Sequence, residues 1–129
     1  MQIEHIALWS KDLQSLKAFY IQYFGAVPGP LYENPKKHFI SCFLSFEGEA
    51  RLEVMQKQPL QDRNPSDAPE SVGYAHISIA VGSKEAVEDL TARLQEDGVP
   101  VVGAPRFTGD GYYESLVLDP DGNRVEITI

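Results

Sequence analysis

Two histidines and two glutamates stand at matched places in this 129-residue chain. His5 opens the run His5-Ile-Ala-Leu, and His76 opens His76-Ile-Ser-Ile. Glu53, within Arg51-Leu52-Glu53-Val54, follows His5 by 48 positions; Glu126, within Arg124-Val125-Glu126-Ile127, follows His76 by 50. Two neutral imidazoles and two carboxylates suit a divalent ion of intermediate hardness: Zn, Ni, Co, Fe(II) or Mn. Two carboxylates neutralise such an ion and leave coordination positions for water or substrate oxygens. Each residue alone has a plainer reading. A lone strand histidine is more often a hydrogen-bonded core residue, and Arg-x-Glu near a strand end is more often a surface ion pair. The paired recurrence makes a four-ligand metal site the stronger reading, and an internal duplication fixes the architecture that must carry it.

The elements that position the four residues repeat as well. Residues 2–9 read as a strand, and Lys11 to Phe24 as a helix with apolar Leu13, Leu16, Phe19, Tyr20 and Phe24, N-capped by Asp12 and stopped by Gly25. Residues 26–38, with three prolines, Gly29 and Asn34, read as a loop around one short strand. His38 to Phe46 and Ala50 to Gln56 form a hairpin about Glu47-Gly48-Glu49. After a polar stretch containing Pro59, Pro65 and Pro69, the pattern restarts: a strand from Gly73 to Val81, then a helix from Ser83 to Asp97 with the stripe Val87, Leu90, Leu94 and the stop Gly98. A short strand at 99–102, a Gly-rich loop at 103–111, a strand at 112–118, the turn Asp119-Pro120-Asp121-Gly122 and a last strand at 123–129 complete it. The fold class is therefore α+β: two tandem βαβββ modules, 1–56 and 73–129, joined by a linker at 57–72 within one domain. Strand alternation puts His5, Ala7 and Trp9 on one face, as it does Arg51, Glu53 and Met55; Tyr74, His76 and Ser78; and Arg124, Glu126 and Thr128. Curved sheets would bring these faces into grooves that enclose the metal.

Composition narrows the partners. Nineteen acidic against eleven basic residues give a net charge of −8, which argues against nucleic acid or an anionic membrane as partner. No apolar run approaches a membrane span, and no signal peptide is visible at the N-terminus. The single cysteine, Cys42, cannot form an internal disulfide, so a reducing, cytoplasmic setting is expected; in an apolar strand it reads as inert packing.

The motifs His5-Ile-Ala-Leu-x-x-x-Asp12-Leu-x-x-Leu-x-x-Phe-Tyr20 with Phe24-Gly25, Tyr74-Ala75-His76-Ile-x-Ile-x-Val, and Asp119-Pro120-Asp121-Gly122-Asn123-x-Val-Glu126 carry a resemblance over nearly the whole chain. The chain resembles the vicinal oxygen chelate superfamily, which includes glyoxalase I (lactoylglutathione lyase), bleomycin-resistance proteins and extradiol dioxygenases. The resemblance implies a glyoxalase-like fold and one divalent metal per site, with Ni, Zn or Co foremost and Fe or Mn as alternatives. It places the ligand role on His5, Glu53, His76 and Glu126, a set similar to that of bacterial glyoxalase I. It implies a lyase that isomerises a small oxygen-bearing substrate, such as a thiol hemithioacetal, through an enediolate. Glu126 is then the preferred base and Glu53 its partner. It also implies a homodimer with sites shared between subunits.

Departures concern the substrate. Trp9 stands where a first-strand arginine is common, and Lys57 where an asparagine is usual. Trp9, Phe43, Arg106 and Tyr112 are the candidate substrate-binding residues. Other basic groups, Lys36, Lys37, Arg51 and Arg124, are available, although Arg51 and Arg124 favour pairing with nearby carboxylates. The loop at 103–111 reads as a mobile lid. The alternatives are a metal-free drug-binding resistance module, which needs none of the four ligands, and a thiol transferase or ring-cleaving dioxygenase, for which a fourth ligand is superfluous.

Overall fold

The computed structural model describes residues 2–61 and 72–129. The chain divides into two compact units, Met1–Asp62 and Arg63–Ile129. Each contains a four-stranded mixed sheet with one helix against it.

In the first unit, β1 (His5–Trp9) leads into α1 (Leu13–Phe24). The Asp12 side chain caps the helix by accepting from the backbone N–H groups of Gln14 and Ser15, both at 3.1 Å. Gly25 ends it in the left-handed region at φ 64°, where a side chain would be strained, and the Ala26 N–H closes on the Tyr20 carbonyl at 3.2 Å. The chain continues as β2 (Val27–Asn34), a 3₁₀ turn at Pro35–Lys37, β3 (Phe39–Ser45) and β4 (Arg51–Lys57). The strand order is β1-β4-β3-β2, with β1 and β4 parallel and the other pairs antiparallel. Leu13, Leu16, Phe19 and Tyr20 of α1 are buried with Cys42, Leu44, Leu52 and Val54 of the sheet. Each such side chain contributes roughly 1.5–3 kcal/mol when fully buried. The helix is also pinned by a hydrogen bond, since the Leu13 N–H donates to Gln56 Oε1 at 2.9 Å.

The second unit repeats the scheme: β5 (Ile77–Ala80), α2 (Lys84–Glu96), β6 (Val101–Phe107), β7 (Tyr113–Leu118) and β8 (Arg124–Thr128), in the order β5-β8-β7-β6. Ser83 caps α2 through the Ala86 N–H. Val87 and Leu94 pack with Val117, Val125 and Ile127. Between them the Thr91 and Ser115 hydroxyls bond to each other at 2.6 Å, and Thr91 also donates to the Val87 carbonyl, so neither buried oxygen is left unmatched. The β7–β8 turn is built on buried Asp119, whose Oδ1 accepts from the N–H groups of Asp121 and Asn123. Gly122, at φ 78°, supplies the left-handed residue that this turn requires.

Several boundaries differ from the sequence reading. The first and fifth strands are shorter than expected, beginning at His5 and Ile77 rather than at residue 2 and Gly73, so Glu4 and His76 stand just before their strands. Residues 27–34 form a full eight-residue strand rather than a loop around a short one. The strand at 99–102 instead runs from Val101 to Phe107, so most of the expected lid at 103–111 is strand, leaving a short turn about Thr108–Tyr112. Pro28, Gly29 and Pro30 of β2, and Gly103 and Pro105 of β6, sit on the outermost strand of a sheet, where a missing N–H breaks no ladder, and register shifts in each pairing absorb them. Lys57 belongs to β4 rather than to the linker, and residues 62–71 of that linker lie outside the described residues.

Candidate functional site

Because α1 covers one face of the first sheet, the opposite face carries the side chains of His5, Ala7 and Trp9. The parallel register sets His5 beside Arg51 and Ala7 beside Glu53, and β3 adds Phe43 beside Glu53. His5 Nε2 lies 3.8 Å from Glu53 Oε2. The imidazole is 39% exposed and the carboxylate 16%, so the carboxylate is largely shielded while the ring remains reachable. The other ring nitrogen, Nδ1, is bonded to Glu4 Oε2, and Glu4 Oε1 takes a hydrogen bond from Arg51 Nη2. The Arg51 guanidinium lies 4.2 Å from the Phe43 ring centroid, and the Phe43 ring meets His5 edge-on at 5.3 Å and 88°. The hydrogen bond from His5, followed by that from Arg51, holds the Glu4 carboxyl below its usual pKa.

In the second sheet, Ser78 is the register partner of Glu126, and Leu116 faces Glu126 from the other side. His76, one residue before β5, sets its Nε2 3.3 Å from Glu126 Oε2. Ser78 Oγ donates to Glu126 Oε1 at 2.6 Å. Again the imidazole is the more open member, 41% against 16%. Glu114, on β7, shares the face. Burial raises its pKa first, and the charge and hydrogen bond of Glu126 raise it further; Arg106, 3.1 Å away, acts in the opposite sense.

Each sequence-derived His/Glu pair is thus brought together within its own unit. Among the described residues no group of three or more His, Cys, Asp or Glu side chains forms a metal-holding cluster. The separations of 3.8 and 3.3 Å are close to the roughly 3–3.5 Å between adjacent donors about 2.0–2.2 Å from one ion. In donor chemistry and spacing, each pair therefore fits half of a divalent site.

The candidate substrate residues divide the same way. Trp9 and Phe43 lie on the His5 face of the first unit; Lys57 Nζ sits 5.1 Å from the Trp9 ring centroid, and Phe39 packs against Trp9 edge-on. In the second unit the Arg106 guanidinium is engaged by Glu114. Tyr112 is exposed at the turn, where its N–H donates to Thr108 Oγ1. Cys42 is buried, with its Sγ 3.3 Å from the Gly29 carbonyl oxygen, as expected for packing.

Glu4, Ser78 and Glu114 were not among the expected site residues. Ser78 was already on the His76 face by alternation, but only the register sets it against Glu126. An acidic residue amid the buried positions of β7 was the available signal for Glu114. Glu4 precedes β1, so strand alternation does not direct it away from His5.

These features define a class: an α+β protein of two βαβββ modules, each carrying a His/Glu pair on the sheet face opposite its helix. The profile of the Glyoxalase/Bleomycin resistance protein/Dioxygenase superfamily matches residues 2–127, and the chain belongs to that superfamily. An uncharacterized protein of Pseudomonas aeruginosa is 32% identical, covering 98% of this chain and 86% of that protein. Among solved structures, a glyoxalase family protein from Enterococcus faecalis superposes with a TM-score of 0.79 at 26% identity, over 99% of this chain and 97% of that one. Glyoxalase I from Zea mays superposes with a TM-score of 0.81 at 20% identity, over 98% of this chain; this chain spans 44% of the maize chain's length. That last likeness is one of fold. No helix among the described residues is long and apolar enough to cross a membrane.

Proposed function

We propose that this protein is a metal-dependent, glyoxalase I-like lyase that isomerises a small oxygen-bearing substrate such as a thiol hemithioacetal. The observation that carries the reading is the twin pair, His5 with Glu53 and His76 with Glu126, each with Nε2 facing a carboxylate oxygen. These four residues would hold one divalent ion, with Ni, Zn or Co preferred on donor type. When bound, such an ion stabilises charge developing on two neighbouring substrate oxygens. A complete set needs one pair of each kind, and a C2 homodimer that combines His5 and Glu53 of one copy with His76 and Glu126 of the other supplies two equivalent sets.

The chain's own groups supply the proton transfer. Once substrate loosens its carboxylate from the ion, Glu126 would take the proton from the hydroxyl-bearing carbon and return it to the neighbouring carbonyl carbon, the hydroxyl proton passing to the neighbouring oxygen. Ser78 fixes the Glu126 carboxylate before substrate arrives, a preorganisation that Glu53, beside Ala7, does not share. Trp9 and Phe43 offer aromatic surface on the His5 face, and Lys57 places a cation over Trp9 where the substrate's polar end can be held.

Metal analysis of purified protein, with His5→Ala and Glu126→Ala variants, tests the site. Stoichiometric metal that both variants lose is expected; full occupancy in either variant rejects the four-ligand set. Hemithioacetal turnover assayed with several thiols under each metal tests the activity. A well-occupied site with no turnover for any thiol removes glyoxalase I chemistry. Absence of metal binding would favour a metal-free binding module, whose ligand surface would be the exposed Trp9 backed by the half-buried Phe39.

A further inference from the structure

Around His5 the contacts close into a ring. Glu4 bonds to His5 Nδ1 and to Arg51; Arg51 lies over Phe43; Phe43 meets the edge of His5. Among the described residues nothing equivalent surrounds His76. By the repeat, Ala75 stands where Glu4 does and Leu116 where Phe43 does, so two of the three surrounding members are missing. The circuit is therefore a property of one module and not a by-product of the duplicated fold.

Its chemical consequence follows from hydrogen-bonding capacity. An ionised carboxylate only accepts, so the imidazole nitrogen facing Glu4 must carry the proton. Arg51 satisfies the other Glu4 oxygen and favours the charged carboxylate. With the proton on Nδ1, the lone pair is on Nε2, the nitrogen 3.8 Å from Glu53. The edge contact with Phe43 limits rotation of the ring about this axis. We infer that Glu4 is a positioning residue: braced by Arg51, it locks His5 in the Nδ1–H tautomer and presents Nε2 as a ligand alongside Glu53. The inference rests on reading His5 as a metal ligand. Carboxylates in this role usually raise metal affinity by about 10- to 100-fold.

The test separates the lock from the metal site. In the metal-free full-length protein, at a pH where its imidazoles are neutral, long-range proton–nitrogen NMR reads the tautomer of each histidine. Wild-type His5 should be almost entirely Nδ1–H. In Glu4→Gln the side-chain amide can either accept from or donate to Nδ1, so His5 should become a mixture while the His76 signals stay put. A role limited to filling space would not move the tautomer in this near-isosteric variant. Arg51→Met should give an intermediate mixture. Zinc affinity by chelator competition should fall about 10- to 100-fold in Glu4→Gln. An unchanged His5 tautomer in Glu4→Gln, or an Nε2–H tautomer in the wild type, overturns the lock whatever the metal result. A wild-type protein that shows the Nδ1–H tautomer yet binds no zinc, nickel or cobalt overturns the ligand reading and leaves the lock standing.

Discussion

In the first sheet it is the histidine that is held, and in the second it is the glutamate. His5 is gripped at Nδ1 by Glu4 and at its edge by Phe43, while Glu53 stands beside an alanine. His76 lies just outside its strand, while Glu126 is fixed by Ser78 and crowded by Glu114. The strand frame that sets the two pairs is the same in both units, since β1 runs parallel to β4 as β5 does to β8. Among the differences are one residue before the first strand, Glu4 against Ala75, one within it, Ala7 against Ser78, and one on the neighbouring strand, Phe43 against Leu116. A repeated backbone thus keeps the donors in place, and single side chains decide which donor is rigid. On the proposed mechanism this is a division of labour, with the first module presenting a nitrogen ligand and the second a preorganised carboxylate for proton transfer.

The sharpest way to break that contrast is to neutralise the two glutamates in turn. Glu126→Gln should lower turnover by about 10²- to 10⁴-fold, the usual worth of a general base, and Glu53→Gln by less. Steady-state kinetics at saturating metal measures both. A larger loss in Glu53→Gln would reverse the assignment of roles.

Next in size are the helix seats, where the modules should behave alike. Leu16 of α1 and Leu94 of α2 are both fully buried. Leu16→Ala and Leu94→Ala should each cost about 2–5 kcal/mol in chemical denaturation. If one variant costs far less than the other, the equivalence of the two packed faces fails and the contrast extends beyond the site.

The duplicated frame was legible because it is written in local rules. The cap and stop residues Asp12, Gly25, Ser83 and Gly98 mark helices that the structure contains, and alternation placed His5, Glu53 and Glu126 on the faces where they pair, with His76 reaching Glu126 from just before β5. The two misread segments, β2 and β6, share one cause. Pro28, Pro30 and Pro105 argue against a strand only if the strand is central, and a single sequence does not say which strand is outermost. The supporting residues of the site were hidden for a related reason. That Ser78 meets Glu126 depends on inter-strand register, and that Glu4 can turn back onto His5 depends on β1 beginning no earlier than His5. Alternation specifies faces; it does not specify neighbours across a ladder.

Exchanging the position that differs would sharpen the comparison. Ser78→Ala removes an exposed hydrogen bond to a carboxylate and should cost about 0.5–1.5 kcal/mol in the metal-free protein. It should also narrow the activity gap between the Glu126 and Glu53 variants. Ala7→Ser should do the reverse, giving Glu53 the hydroxyl that Glu126 already has. If Ser78→Ala leaves both stability and that gap unchanged, Ser78 does not preorganise Glu126.

The smallest effects are expected from pH, where the two modules should respond with opposite sign. The Glu4 carboxyl is held below its ordinary value of 4.5 by His5 and Arg51. Its stabilising contribution is therefore present above that value and is lost as pH falls through the lower folded value. Glu114 is raised above 4.5 by burial and by Glu126. Its contribution is complete below 4.5 and is lost as pH rises through the higher folded value, so at neutral pH its charge is a liability. Glu4→Gln should therefore lower the unfolding midpoint at neutral pH and converge on the wild type in strong acid. Glu114→Gln, which mimics the protonated carboxyl, should raise the midpoint at neutral pH and likewise lose its effect in acid. Denaturation midpoints followed from acid to neutral pH read both slopes. Slopes of the same sign would show that the carboxylate in the second module is not strained by its neighbour, and that the contrast between a gripped histidine and a crowded glutamate does not reach the electrostatics.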